Sequence, residues 1–241
     1  DNYDSSRNVI FNSIFNLKIA NIMRNASAVI VGNKYLKNYA LNVAKAKKII
    51  ELPTVVNLDS YPKVNHISKK KLIKVGWIGT PNTIVFLKPL FSLFEELSKV
   101  LDVEFIAIGV DSNHVEHSLI KTKKWSYKNE ALLLQDIDIG IMPLPNNNWT
   151  KGKCGYKLIQ YMACSKPVIA SPIGINKELI NPGENGYLAY DLKDWDRYLR
   201  MLINSKDLRY SMGANGRKMV EKKYSIGKTA PKLSEILLNV Y

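Results

Sequence analysis

The feature that most limits what this chain can fold into is an apolar run that stops at a glycine and turns at once into a helix. In KLIKVGWIGTPNT, residues 71–83, the strand ends at Ile78 and Gly79-Thr80-Pro81 make a tight loop. A predicted helix, TIVFLKPLFSLFEELSKVL, follows. Strand, tight loop and helix in that order open a parallel sheet. The pattern repeats. VEFIAIGV gives the next strand, and after a polar stretch come a helix over Asn129 to Gln135 and a buried strand from Ile137 to Met142, stopped by Pro143 and Pro145. The polar loop NNNWTKGKCG leads to a helix from Tyr156 to Cys164, the strand KPVIAS, the short helix GINKELI and a turn, NPGENGYLAY, that feeds an edge strand. Three stretches of helical periodicity finish the chain, the middle one containing Gly213 and Gly216. With no repeat at a fixed period and no low-complexity tract, the expected fold class is α/β, an open sheet with helices on both faces.

Upstream, residues 6–25 place Ile10, Phe11, Ile14, Phe15, Ile22 and Met23 at helical spacing, which predicts an amphipathic helix. ASAVIVGN reads as a strand ending at Gly32, KYLKNYALNVAKA as a helix, and KIIELPTVVNLDSYP as a strand broken by proline into linker. Helix, strand, helix, strand is the tail of a second α/β layer. The opening, DNYDSSRNVI, starts on Asp1 and lacks a signal-peptide pattern, and every apolar run is broken well before the roughly 20 residues of a membrane span. The two cysteines, Cys154 and Cys164, are expected on one helix, which argues against a disulfide and fits buried thiols in a reducing cytoplasm.

Thirty-five Lys and Arg against 21 Asp and Glu give a net charge of +14. Such a surplus attracts nucleic acid, an acidic leaflet or phosphorylated small molecules, although SKKKLIK and much of the rest read equally as solvated surface. The basic clusters lack interleaved aromatics, zinc-finger spacing or an RNA-binding motif, so nucleic acid ranks last. In open parallel sheets, ligands sit beyond the carboxyl ends of the strands, where glycine and helix N-termini favour anions. Three loops qualify: GTPNT, GKCGYK and SPIGIN. Thr80, Asn82 and Thr83 suit either a helix cap or a phosphate. GTPNT has neither G-x-G-x-x-G spacing nor a P-loop ending. Lys153 and Lys157 would share one face if the helix extends back through Cys154, either as an anion clamp or as two solvated lysines. Asp136-Ile137-Asp138 imitates an Asp-x-Asp metal site but reads as helix end and sheet. His114 and His117 lack a third ligand, and no metal site is expected. A nucleophile elbow is absent.

Taken together, ASAVIVGNKYLKNYA, LPTVVNLDSYP, GWIGTPNT, DIDIGIMPLP, GKCGYKLIQYMACSKPVIASPIGINKEL, PGENGYLA and GANGRKMVEKKYS resemble family 4 glycosyltransferases of the GT-B fold over nearly the whole chain. The resemblance implies two Rossmann-like domains facing a cleft. Residues 1–57 would be the tail of the acceptor domain in a fragment lacking most of it, 58–71 a linker, 72–222 the complete donor domain, and 223–241 a helix crossing back. It further implies transfer that retains the anomeric configuration, with no bound metal and no cofactor. The donor would be a UDP- or GDP-linked sugar and the acceptor a saccharide or lipid-linked hydroxyl, in cell-envelope or surface polysaccharide synthesis at the inner face of the cell membrane, with peripheral contact to anionic lipid. By position, the diphosphate falls to Thr80, Thr83, Lys153, Lys157 and the backbone turn Gly174, Ile175, Asn176, with the lysines assisting departure of the leaving group, while Gly79 and Asn82 also border the donor and Gln160 falls to the ribose. Trp125 and Ser126, after a strand, fall to the base. Two departures stand out. The family's paired glutamates are replaced by Gly152 and Gln160, and the basic residues after the first donor-domain strand by Thr80, Pro81 and Asn82. A branch with altered donor contacts, or a non-catalytic nucleotide-sugar or polyanion binder, would explain them.

Overall fold

The computed structural model describes residues 18–63, 72–115 and 117–240. A helix over 18–25 (α1) precedes β1 (Val29–Val31), α2 (Lys34–Asn42) and β2 (Ile49–Glu51), and the two strands pair in parallel with Val29 beside Ile49. Most of the helix expected from residue 6 lies outside the described residues. Within 18–25, Ile22 is 62% exposed.

The larger unit runs β3 (Ile73–Ile78), a 3-10 helix (Pro81–Leu90), α3 (Phe91–Val100), β4 (Val103–Ile108), β5 (Ile120–Lys123), α4 (Glu130–Asp136) and β6 (Ile139–Met142). It continues through α5 (Asn148–Lys151), α6 (Tyr156–Ala163), β7 (Val168–Ala170), α7 (Asn176–Leu179), β8 (Gly186–Leu188), α8 (Leu192–Asn204) and α9 (Lys206–Lys223). A last helix, α10 (Ile226–Leu238), follows. Strand order is β5-β4-β3-β6-β7-β8, with every pair parallel. The order reverses at β3, and that reversal opens a crevice beyond the strand's carboxyl end. The α/β doubly wound architecture read from the sequence is the one observed.

Each face of this sheet carries its own core. Successive residues of β3 alternate: Val75 and Trp77 join Phe94, Phe105 and Leu199 on one face, while Ile78 joins Ile137, Leu158 and Tyr161 on the other. Phe94 and Phe105 stack at 3.9 Å. Six of the eight residues of α6 are buried, and each large apolar side chain among them contributes roughly 1.5–3 kcal/mol. The Tyr161 hydroxyl accepts from the Ile78 N–H at 2.8 Å and donates to the Ile141 carbonyl at 3.3 Å, which fixes α6 across the ends of β3 and β6. Gly213 and Gly216 let α9 lie against α6, since a Cβ there would stand 2.0 Å from the Ser165 oxygen and 2.9 Å from Met162 Cγ.

Three expectations are corrected. The predicted helix after Gly79 is two elements, because Pro89 offers no N–H and crowds the preceding turn, so the chain takes 3-10 turns to Leu90 and becomes α-helical only at Phe91. The strand expected from Ile137 starts at Ile139, Ile137 being the cap residue of α4. Finally, α6 does not reach back through Cys154. Gly155 adopts φ 69°, a left-handed turn that starts the helix at Tyr156 and leaves Lys153 and Cys154 off it.

Past α9 the chain returns to the first unit. The Val56 N–H donates to the Tyr224 carbonyl at 3.0 Å, and the Ile226 N–H donates to the Val56 carbonyl at 3.0 Å. Beyond that crossing, Lys232, Glu235 and Ile236 of α10 and its cap residue Asn239 border a hollow with Lys48, Ile50, Glu51 and Leu52.

Candidate functional site

A cleft of ≈ 370 Å³ opens at the strand reversal, where the loops after β3, β4 and β5 meet the N-terminus of α6. Its floor is backbone: a Cβ on Gly109 would lie 2.2 Å from the Gly79 oxygen, so the two loops touch only because Gly109 has no side chain. Lys157, on the first turn of α6, reaches over this floor with its Nζ 4.4 Å from the Trp77 ring centroid. The ammonium lies so close to Gly79 that a Cβ there would approach it to 2.8 Å. Desolvation, with the Lys153 ammonium nearby as a lesser cause, lowers the Lys157 pKa to about 7. This is a cation that an incoming anion would stabilise.

The opposite wall is a hydrogen-bonded group drawn from three parts of the chain. The carboxyl group of Glu130 takes the Trp125 indole N–H at 2.7 Å on one oxygen and the Tyr61 hydroxyl on the other. Gln160, 2% exposed, donates its amide to the same Tyr61 hydroxyl at 3.3 Å. Burial, together with the bond to Glu130, pushes the Tyr61 pKa up and keeps the phenol protonated. Arg217 holds the Tyr61 backbone from behind, donating to its carbonyl and to that of Ala163. Neither Tyr61 nor Glu130 was among the residues singled out from sequence. They lie 69 positions apart, Tyr61 in what reads as linker, and no spacing announces their meeting.

Of the residues singled out, the cleft gathers Gly79, Thr80, Trp125, Lys157 and Gln160. The others stand elsewhere. Thr83 is buried, and its hydroxyl accepts from the Thr80 N–H at 3.2 Å and donates to the Thr80 carbonyl at 3.0 Å, which is the capping alternative. Asn82 is exposed outside the cleft. Ser126 closes a turn with Asn129, its N–H donating to Asn129 Oδ1 at 2.7 Å. Lys153 lies 3.6 Å over the Trp149 ring, its pKa lowered by burial. Gly174 backs onto Lys151, whose oxygen would be 2.8 Å from a Cβ, and Ile175 is buried. Asn176, 1% exposed, turns inward to donate to the Ser171 carbonyl at 3.0 Å, leaving its Oδ1 without a partner.

Asp136 and Asp138 have structural work, the first pairing with Lys74 Nζ and the second accepting the Lys74 N–H at 2.9 Å. His117 lies 3.0 Å from Glu95. Among the described residues, no group of three or more His, Cys, Asp or Glu could hold a metal ion, and no helix is long and apolar enough to cross a membrane.

The model for the family described as Glycosyl transferases group 1 matches residues 70–205, more than half of the chain and the whole of the cleft-bearing sheet. The chain belongs to this family. It is 24% identical over 238 residues to an uncharacterized glycosyltransferase of Methanocaldococcus jannaschii, covering 89% of this chain and 59% of the relative. Its fold is that of sucrose-phosphate synthase from Thermosynechococcus elongatus (TM-score 0.78, 17% identity, 99% of this chain and 64% of that one). It is likewise that of Anabaena HepE, solved in complex with UDP-glucose (TM-score 0.76, 14% identity, 99% and 70%). This group 1 chain therefore spans under two thirds of the length of the archaeal relative and of the synthase.

Proposed function

We propose that this chain is the donor-binding portion of a retaining glycosyltransferase that moves a sugar from a nucleotide-diphosphate sugar to a hydroxyl acceptor in cell-envelope or surface polysaccharide synthesis. One observation carries the reading: Lys157, a partly desolvated ammonium, overhangs the bare Gly79 backbone at the N-terminus of α6, inside a cleft at the strand reversal. Supporting it are the family match and the UDP-glucose held by HepE.

In this reading, the bond between the anomeric carbon and the diphosphate oxygen breaks and the diphosphate leaves with the electron pair. The new bond forms to the acceptor oxygen, whose proton passes to the departing diphosphate. Lys157 and the first-turn N–H groups of α6 face the departing charge, where fixed positive groups stabilise the transition state more than the ground state. Glu130 and Gln160, positioned by the Tyr61 hydroxyl behind them, would receive the hydroxyls of the nucleoside, and Trp125 would flank the base.

A second reading, a binder without turnover, is favoured by Gly152, which offers no side chain where the family resemblance implies a glutamate. Calorimetric titration with UDP- and GDP-sugars tests both. Saturable binding weakened at least tenfold by Lys157→Ala supports a donor site. Absent binding, or equal affinity for duplex DNA, overturns it. Donor binding by the full-length protein with no transfer or donor hydrolysis would select the non-catalytic reading.

A further inference from the structure

The sheet has a second basin at its other rim. The run Cys164–Pro167 joining α6 to β7, Asp138 ahead of β6, and one side of α9 enclose ≈ 260 Å³. No residue lines both this basin and the Lys157 cleft. The eight residues of α6, about 12 Å at 1.5 Å each, lie between them.

Six cationic side chains converge here from three parts of the chain: Lys63, Lys166, Lys206, Arg209, Arg217 and Lys218. Two carboxyl groups answer them, and both are engaged. Glu221 is held by Lys63 at 2.8 Å and by Arg217 Nε at 2.9 Å, and Asp138 accepts the Lys74 N–H. Lys206 and Lys218 have no carboxyl partner among the described residues. Gln135, Ser165 and Tyr210 are uncharged neighbours, and the Cys164 thiol adds no negative charge either, since burial pushes its pKa up to about 12.

A solvated basic face spreads its charges outward. Here they line one concavity, and four of the six are held by the chain itself: Lys63 by Glu221, Arg217 by Glu221 and the Tyr61 and Ala163 carbonyls, Arg209 by the Leu202 and Ile203 carbonyls, and the half-buried Lys166, its pKa lowered by desolvation, by the Gln135 carbonyl. Lys206, exposed at the rim, also opens α9, where the helix dipole disfavours a cation. Each of these costs is reversed by an anion seated in the hollow. The volume has room for a phosphate with its first ester group.

We propose that this basin is a second anion site, specific for a phosphate monoester, and separate from the cleft at Lys157. The ester is either a soluble phosphate or the headgroup of phosphatidic acid in a membrane. Lys206 and Lys218 are exposed at its rim, so replacing them leaves the core intact.

The test titrates the chain with glycerol phosphate and, separately, floats it with phosphatidylcholine vesicles with and without phosphatidic acid. Binding in either arm that falls at least tenfold in Lys206→Ala/Lys218→Ala and is unchanged in Lys157→Ala establishes the site. Binding in solution assigns a soluble ester, and recruitment to phosphatidic acid vesicles alone assigns the headgroup. The proposal is overturned if neither ligand binds, if the double variant binds as tightly as the parent, or if Lys157→Ala abolishes the binding.

Discussion

The side-chain amide of Asn33 lies 3.0 Å from the backbone oxygen of Lys153, 120 residues further along the chain, and 3.1 Å from that of Gly152. The other end of the same side chain caps α2, its oxygen accepting the Leu36 N–H at 2.9 Å. One residue of the first unit thus ends a helix at home and ties down the loop ahead of α6.

Asn33→Ala is expected to lower stability by about 1–3 kcal/mol, from a lost cap and from buried carbonyls left without a donor. Asn33→Asp keeps the capping oxygen but loses the donor to the loop, so it separates the two contributions. Urea unfolding measures both. An Asp variant as stable as the parent would mean that the loop contact contributes nothing.

Lys157 titrates near 7 in the folded protein against 10.5 for an ordinary lysine. Between those values the folded chain binds fewer protons than the unfolded one, so this residue makes stability rise with pH across that window. A bound diphosphate raises the pKa again, and donor binding then takes up a proton. Affinity for a nucleotide sugar should fall by up to about tenfold per pH unit above about 7 and level off below it. Calorimetry across pH 6 to 9, in buffers of matched ionic strength, reads the slope, which Lys157→Met should flatten.

Tyr61→Phe removes the hydroxyl shared by Glu130 and Gln160. Leaving their polar atoms unpaired in a largely buried setting is expected to cost about 1–3 kcal/mol of stability. If those groups receive the nucleoside hydroxyls, the variant should also bind a nucleotide sugar several-fold more weakly while its affinity for pyrophosphate alone is unchanged. Parallel titrations with the two ligands separate these effects.

Gly155→Ala puts a Cβ at φ 69°, 2.2 Å from Leu179 Cδ1. The left-handed turn and the clash together should lower the free energy of unfolding, read by urea titration, by more than the about 1–2 kcal/mol of the backbone effect alone. Because the turn fixes where α6 starts, pyrophosphate affinity should fall as well. Normal binding in a folded Gly155→Ala protein would show that the turn does not position Lys157.

The sequence displays its sheet openly because β3, β4, β6 and β7 are buried runs that end at glycine or proline, and α6 has helical apolar spacing beside them. β5 is quieter: IKTK at the edge of the sheet buries one residue in four, so its pattern is close to that of a loop. Lys157 is legible as a residue at the start of a helix, and Gln160 only through the family resemblance, at the position of one of its paired glutamates. Lys153 was misplaced, since a single glycine ahead of the helix decides its position and spacing alone does not show that glycine's φ. Tyr61 and Glu130 were silent because their contact exists only once the linker has folded across α6.

The double seam at Val56 has a mechanical consequence. The chain passes between its two units twice, and the two passes are hydrogen-bonded side by side, with Val56 opposite Ser225. Two neighbouring tethers, with the Asn33 bonds to the loop ahead of α6 as a third point of attachment, fasten the first unit at the edge of the opening that Lys157 overhangs.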